Sequence, residues 1–455
     1  MRAFARQMIE RMKAVAAAGA VAAFWLAVWV FVAALVAQPL ILPGPGAVVV
    51  ALLRLVCDAG TWAILAGSGA RILGGLALAA VWGGLLAGIS SRLRAFARLV
   101  APALSFVKAT PVACVVVLLL IWLGSARVSI AAVFLMALPG VYFSLVEGLT
   151  QADKPLEQMF RLHGVRGWRL FCAHIWREVL PFVLSCARAV IGMSWKAGVA
   201  AELIGMAVGT VGERIYQAKL LIETADLLAW TVLVVMASWA CERVLVWLLR
   251  ASGPAAWRAA VLSHGRGLRG RAGAADVAEL ALAVGDRAPW APALDGLVLN
   301  VPAGGRICVM GTSGVGKSTL LALAAGECAP CSMVFQDVRL VEGASALDNV
   351  LVCADARVDA SSAAALLRLL VPGVDVHARV AELSGGQRRR VEIARALLCP
   401  GGAVILDEPF TGLDTAARDA CAEVVLDLLV GRMLLLATHD AVDAQALNIS
   451  DIITL

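Results

Sequence analysis

Apolar positions are distributed in two different ways along this chain. Over the first 250 residues they form long, nearly uncharged runs, at Ala14–Ala37 and then at about 61–89, 99–123, 128–149, 179–208 and 227–249. Each is long enough for the ~20 residues that a bilayer's hydrocarbon core requires, so six membrane-spanning helices are predicted. The first run is too long for the apolar region of a signal peptide. Pro111 lies inside the third run and must kink or interrupt it, because it removes a backbone donor. From about residue 276 the runs shorten to strand length. Arg306–Met310, Ala403–Leu406, Met433–Ala437 and Ile452–Leu455 alternate with helical stretches such as Ala363–Leu370 and Arg388–Leu398. Wholly apolar strands predict a parallel sheet covered on both faces. The boundaries read as an all-α membrane domain over 1–250, a Gly/Arg-rich flexible basic linker over 251–275 suited to anionic lipid headgroups, and an α/β domain over 276–455.

Composition supports the membrane reading. Apolar residues make up 61% and charged residues 16% of the chain, against roughly 45–50% and 25% in soluble domains. With the N-terminus inside, the inner segments hold Arg2, Arg6, Arg11, Lys13, Arg92, Arg94, Arg98, Lys154, Arg161, Arg166, Arg169, Arg177 and Arg250, and the outer ones only Arg54, Arg127, Arg214 and Lys219. That asymmetry places the α/β domain in the cytoplasm, and it explains the net charge of +6 without a nucleic-acid partner. The eleven cysteines are scattered, as buried thiols in a reducing compartment are, and Cys328-Ala-Pro-Cys331 alone is a weak metal or redox signal.

Candidate chemistry centres on Gly311-Thr312-Ser313-Gly314-Val315-Gly316-Lys317-Ser318-Thr319, after an apolar strand and before Leu320-Leu321. This is the spacing of a phosphate-binding P-loop. Its glycines let backbone N–H groups surround a phosphate, Lys317 would reach the β- and γ-phosphates of ATP, and Ser318 would hold Mg²⁺. A second strand ends in Asp407-Glu408, placing one carboxylate for Mg²⁺ and the next to polarise a water for attack on the γ-phosphate.

Leu383-Ser384-Gly385-Gly386-Gln387, followed by Arg388-Arg389-Arg390, resembles the signature motif of the ATP-binding cassette (ABC) family. The resemblance extends over the domain and implies further roles. Gln336, in Met333-Val-Phe-Gln-Asp337, looks like the Q-loop glutamine that contacts Mg²⁺ and the attacking water. Asp414 looks like part of the D-loop, His439 like the switch histidine at the γ-phosphate, and Trp290 like the aromatic that stacks on adenine. Lys317 and Gln336 are closer together than is usual in the family, which implies a largely deleted antiparallel β subdomain. The short stretch from Asn349 to Leu383 implies a trimmed helical subdomain.

In the membrane half, the segment from Glu157 through Arg161 and Gly164 to Pro181 resembles the permease loop whose short helix docks in the cassette. Leu42-Pro-Gly-Pro45, Ser68, Arg71, Trp195, Ala201-Glu202 and Gly209-Thr-Val-Gly212 are similar to permeases of the nitrate, sulfonate and taurine group. Arg71, Lys196 and Glu202 fall within membrane segments, where they pair, snorkel or line a pathway. The resemblance implies a homodimeric importer of the bacterial inner membrane, a permease–ATPase fusion with ATP held between the P-loop of one copy and Ser384–Gln387 of the other. It also implies an extracytoplasmic substrate-binding protein as partner. An exporter half-molecule and a membrane-anchored gating or signalling ATPase are the alternatives, the former disfavoured by spans of only bilayer length.

Overall fold

In a computed structural model that describes residues 2–263, 279–284, 291–429 and 431–455, the chain forms two compact units. The first contains Met1–Gln151 and Val179–Ala251, the second Ala152–Glu178 and Ser252–Leu455. The second unit thus takes a segment out of the middle of the helical region, which sequence alone assigned to the membrane domain.

The first unit is helical. In order it holds α1 (Arg2–Val36), α2 (Pro45–Cys57), α3 (Ala59–Arg92), α4 (Arg94–Ala109), α5 (Val112–Leu123) and α6 (Ser125–Gln151). After α7 (Lys154–Leu162) and α8 (Gly167–Leu170), which belong to the second unit, come α9 (Trp176–Gly205), α10 (Val211–Leu220) and α11 (Thr224–Leu262). Pro45 starts α2 at a position whose N–H would have no partner anyway, and Asp58 caps α3 by accepting from the N–H groups of Gly60 and Thr61. Glycines set the helix packing. A Cβ on Gly75 would lie 2.5 Å from the Ile130 carbonyl oxygen, and one on Gly198 would lie 2.5 Å from Ile72 Cγ1. Such close approach replaces the hydrophobic drive that lipid does not supply.

Two expectations need correction. Among the described residues five helices are long and apolar enough to cross a membrane, and the expected third span is instead α4 and α5, bent by 103° at Thr110–Pro111. Six spans are reached only if that broken pair counts as one. Pro111 therefore interrupts the run outright, and Thr110 and Pro111 are both extended. The linker expected from 251 does not begin there either: α11 continues to Leu262 with Pro254 inside it, carried by Ala260 and Val261, which are buried in the cassette core. The remaining linker positions, 264–275, lie outside the described residues.

The cassette unit contains β1 (Glu279–Ala283) and β2 (Val298–Pro302), an antiparallel pair with alternating burial, and β3 (Arg306–Met310), which feeds the P-loop and α12 (Lys317–Glu327). Then follow β4 (Ser332–Val334), α13 (Ala346–Leu351), α14 (Ala360–Leu370), α15 (Gly385–Leu398), β5 (Ala403–Asp407), α16 (Thr415–Leu428), β6 (Met433–Thr438), α17 (Ala441–Ala446) and β7 (Asp451–Thr454). The main sheet is parallel throughout, in the order β4-β5-β6-β3-β7. Every residue of β5 and β6 is buried, as apolar strands under helices on both faces should be.

Candidate functional site

The phosphate loop follows directly from β3. Gly314 and Gly316 have φ of +85° and +117°, conformations that side chains resist, and a Cβ at Gly311 would fall 2.9 Å from Val315 Cγ1. Lys317 opens α12 and is buried, its ammonium donating to the carbonyls of Gly311 (2.6 Å) and Thr312 (3.2 Å). Parallel pairing of β5 with β6, itself beside β3, brings Asp407 to the same end of the sheet. Burial pushes the Asp407 carboxyl above its ordinary pKa, opposed by a hydrogen bond from the Ser318 hydroxyl. Glu408 takes a left-handed φ of +47° as the chain leaves the strand, a strained geometry for a non-glycine residue. Its amide donates to the Ala437 carbonyl at 2.8 Å, and its carboxylate lies 3.3 Å from His439 Nδ1. Gln336, exposed just after β4, lines a cavity of about 430 Å³ with Ser318 and Asp407. Ser318, Gln336 and Asp407 therefore meet at one cavity, and Glu408, next to Asp407 in the chain, pairs with His439.

Sequence reading passed over the group that positions them. Arg389, third in from Gly386 on α15, is buried. Its guanidinium donates to the carbonyls of Asp407 (2.8 Å), Glu408 (2.7 Å), Pro409 (3.1 Å) and Phe335, and to Glu392 Oε2 at 2.9 Å. Glu392, fully buried, accepts from the Arg339 amide at 2.6 Å and from Arg395 at 3.3 Å. One side-chain network thus fixes both ends of the loop carrying Gln336 and the turn carrying Glu408. The run Arg388-Arg389-Arg390 was visible, but nothing in it separates a buried clamp from a solvated basic surface.

The segment 152–178 docks within this unit. Asp153 caps α7 by accepting from the Leu156 amide, and Leu156, Met159 and Phe160 enter the cassette core. Gly164, at φ +78°, ends the helix: Val165 N donates to Phe160 O at 2.8 Å and Gly164 N to Arg161 O at 3.1 Å. This is the Schellman arrangement, with Val165 and Phe160 as its buried apolar pair. The sheet edge then receives the loop. Cys331 N donates to Leu162 O at 3.0 Å, and His163 donates from Nδ1 to Met159 O while its Nε2 accepts from Met333 N. Burial holds His163 neutral, its pKa pushed down to about 3. Gln158 and Arg161 of α7 line the same cavity as Gln336, and Glu157 holds Arg161 at 2.6 Å. Pro181 does not belong to this docked element. It lies inside α9 in the other unit, because the chain runs helically through α8 and a π-turn at Phe171–Ile175 without a break before it.

Ser384 and Gln387 cap α15 reciprocally, at 3.3 and 2.9 Å, leaving Ser384 and Gly385 exposed at the helix start. Asp414 caps α16 through the Ala417 amide at 2.7 Å. Trp290 lies outside the described residues. In the membrane unit Arg71 and Glu202 meet at 3.1 Å, but Lys196 is exposed on α9 and apart from them. Cys328 and Cys331 are buried free thiols, Cys331 pushed up to about 12 by burial, and among the described residues they belong to no cluster of three or more His, Cys, Asp or Glu side chains that could hold a metal.

Comparison with known proteins supplies the family. A family model described as "Binding-protein-dependent transport system inner membrane component" matches residues 79–258, and one described as "ABC transporter" matches 329–411. The taurine import ATP-binding protein of Chromobacterium violaceum is 38% identical over 182 residues, covering 34% of this chain and 68% of that protein. The chain belongs to the ABC transporter family. Another relative of this transporter is an aliphatic sulfonates import ATP-binding protein of Rhizobium johnstonii, 35% identical over 35% of this chain and 66% of its own length. Matches thus span about two thirds of the relatives. Among solved structures, the dimeric structure of a bacterial ABC transporter cassette is 24% identical over 36% of this chain and 86% of that one, with a TM-score of 0.33, too low to carry weight. The ABC model match starts at Ala329, after the P-loop, where the chain joins α12 to β4 through residues 328–331 alone. It is a multi-pass membrane protein with permease and ATP-binding parts in one chain.

Proposed function

We propose that two copies of this chain form an ATP-driven importer of small anionic or polar solutes, of the kind that the sulfonate and taurine relatives are named for, fed by an extracytoplasmic binding protein. The observation that carries this reading is the single cavity lined by Ser318, Asp407 and Gln336 on one side and by Gln158 and Arg161 of the docked helix on the other. A change at the γ-phosphate is thereby adjacent to the element that continues into the membrane helices, which is what coupling requires.

Lys317 and the backbone of Gly311–Thr319 hold the phosphates of ATP. The buried Asp407 carboxylate, hydrogen-bonded by Ser318, offers the hard oxygen donors that suit Mg²⁺, with Gln336 as a third. Held by these residues, Mg²⁺ would supply neutralisation of the phosphate charge. Glu408 accepts the proton of the attacking water, and His439, which contacts Glu408, meets the γ-phosphate. Ser384–Gln387 at the start of α15, exposed at Ser384 and Gly385, completes the site of a second copy through its helix N-terminus, with Asp414 as a further contributor. Within the membrane unit, Arg71 and Glu202 serve as a structural pair, and exposed Lys196 is left as the pathway candidate.

The test is Glu408→Gln in the purified full chain. ATP binding should persist while turnover falls by about 10²-fold or more, the scale of a lost general base. Turnover equal to wild type would remove Glu408 from the chemistry.

A further inference from the structure

We infer that the membrane unit carries a built site for the phosphodiester headgroup of an anionic phospholipid of the cytoplasmic leaflet, between α9 and α11. A cavity of about 530 Å³ is lined by Arg188, Trp239, Glu242, Arg243, Val246, Trp247 and Arg250. Three guanidinium groups and one carboxylate leave it strongly cationic, and none of the three arginines sits in an ion pair among the described residues. Arg243 lies with its guanidinium carbon 5.0 Å from the centre of the Trp239 ring, which holds it toward the cavity without neutralising it.

Depth along α11 places the cavity at the lipid headgroups. The outer end of the helix is marked by Asp226, paired with Arg54 of α2. From Thr224 to Arg243 the helix rises about 28 Å, close to the ~30 Å of a bilayer's hydrocarbon, and Arg250 lies about 10 Å further along the helix. Trp239 and Trp247 therefore bracket the inner interface, where indoles concentrate. Around the arginines the surface is apolar and open: Val235, Met236, Val244 and Leu248 are all more than half exposed. An aqueous solute pathway would not be walled by such side chains, whereas acyl chains would cover them. Arginine forks match phosphate oxygens in geometry as well as charge, and lipids of the inner leaflet present those oxygens at this depth.

The experiment uses the full chain exchanged into phosphatidylcholine nanodiscs with or without phosphatidylglycerol, with retained lipid counted by native mass spectrometry. Wild type should keep phosphatidylglycerol in preference to phosphatidylcholine, and free inorganic phosphate should not displace it. Arg188→Gln/Arg243→Gln/Arg250→Gln should lose that preference, by about tenfold per charge-assisted contact removed. The matched control Arg92→Gln/Arg94→Gln/Arg98→Gln, at an exposed basic segment elsewhere, should keep it. Should the triple variant not fold, Arg250→Gln alone, on an exposed side chain, should still lower retention about tenfold. Equal retention by wild type and the Arg188/Arg243/Arg250 variants, equal loss in the control, or displacement by inorganic phosphate would each overturn the site. A second copy of the chain covering the cavity would show as no lipid preference in wild type, and would overturn it too.

Discussion

Glu202 in the membrane unit and Glu392 in the cassette are both fully buried carboxylates, and each is held by arginine and by a backbone amide. Glu202 accepts from Ser68 (2.8 Å), Arg71 (3.1 Å) and the Gly212 amide (3.4 Å), while Ser68 Oγ accepts from the Val211 amide. The result is a staple that seats the turn before α10 on α3, and it explains Gly212, where a Cβ would lie 2.4–2.5 Å from Glu202 and Leu203. Glu392 is set between Arg389 and Arg395, and it fastens the loop bearing Gln336 to the signature helix. The same chemistry therefore does different things. One network closes a turn and ends there; the other runs through three motifs that are proposed to meet nucleotide.

Removing either carboxylate leaves buried cationic or amide partners uncompensated, so Glu202→Ala and Glu392→Ala should each cost about 3–5 kcal/mol of stability, measured by unfolding in detergent. The two should separate by activity. Surviving Glu202→Ala protein should retain basal ATP turnover, and Glu392→Ala protein should lose it together with coupling. Equal basal turnover in both would break the distinction. Arg389→Lys comes next. It keeps the charge but not the fork that reaches Asp407, Glu408 and Phe335, so about 1.5–3 kcal/mol should be lost, and ATP turnover should fall with little change in nucleotide affinity.

An effect that is absent at neutral pH and develops only in acid belongs to His163. Because its folded pKa is pushed down to about 3, the unfolded chain binds the extra proton between about pH 6.5 and 3. Its stabilising contribution is complete above pH 6.5 and is lost as pH falls through that window, by up to about 1.4 kcal/mol per pH unit. His163→Gln should flatten that slope in thermal unfolding across the same range. Smallest of all is Arg161→Ala. The Glu157–Arg161 pair is an exposed i,i+4 contact, so stability should change by about 0.3–0.5 kcal/mol, while uptake should drop if the cavity beside Gln336 transmits coupling.

Legibility in the sequence differed between the two units for physical reasons. The cassette's motifs are short, local and spaced by strands that must be apolar, so Gly311–Thr319, Asp407-Glu408, Leu383–Gln387 and the sheet they stand on are legible in the sequence itself. What could not be read was long-range: Arg389 and Glu392 acquire their role only through contacts to β5 and to the loop after β4. Likewise, the docking of 152–178 into the cassette depends on His163 meeting Met333, 170 positions away. In the membrane unit hydropathy reports length but not direction, so the run at 99–123 reads as one span although α4 and α5 turn by 103°. The three intramembrane charges looked alike in sequence; only packing joined Arg71 to Glu202 and left Lys196 apart.

The central claim is that one chain joins ATP turnover at Glu408 to solute import through the docked helix. Liposomes reconstituted with the full chain, a sulfonate-type solute and its binding protein test it in one assay of uptake. Accumulation should require both ATP and the binding protein and should be abolished by Glu408→Gln. Accumulation that proceeds without the binding protein, or ATP turnover that the binding protein stimulates with no solute entering, would contradict it.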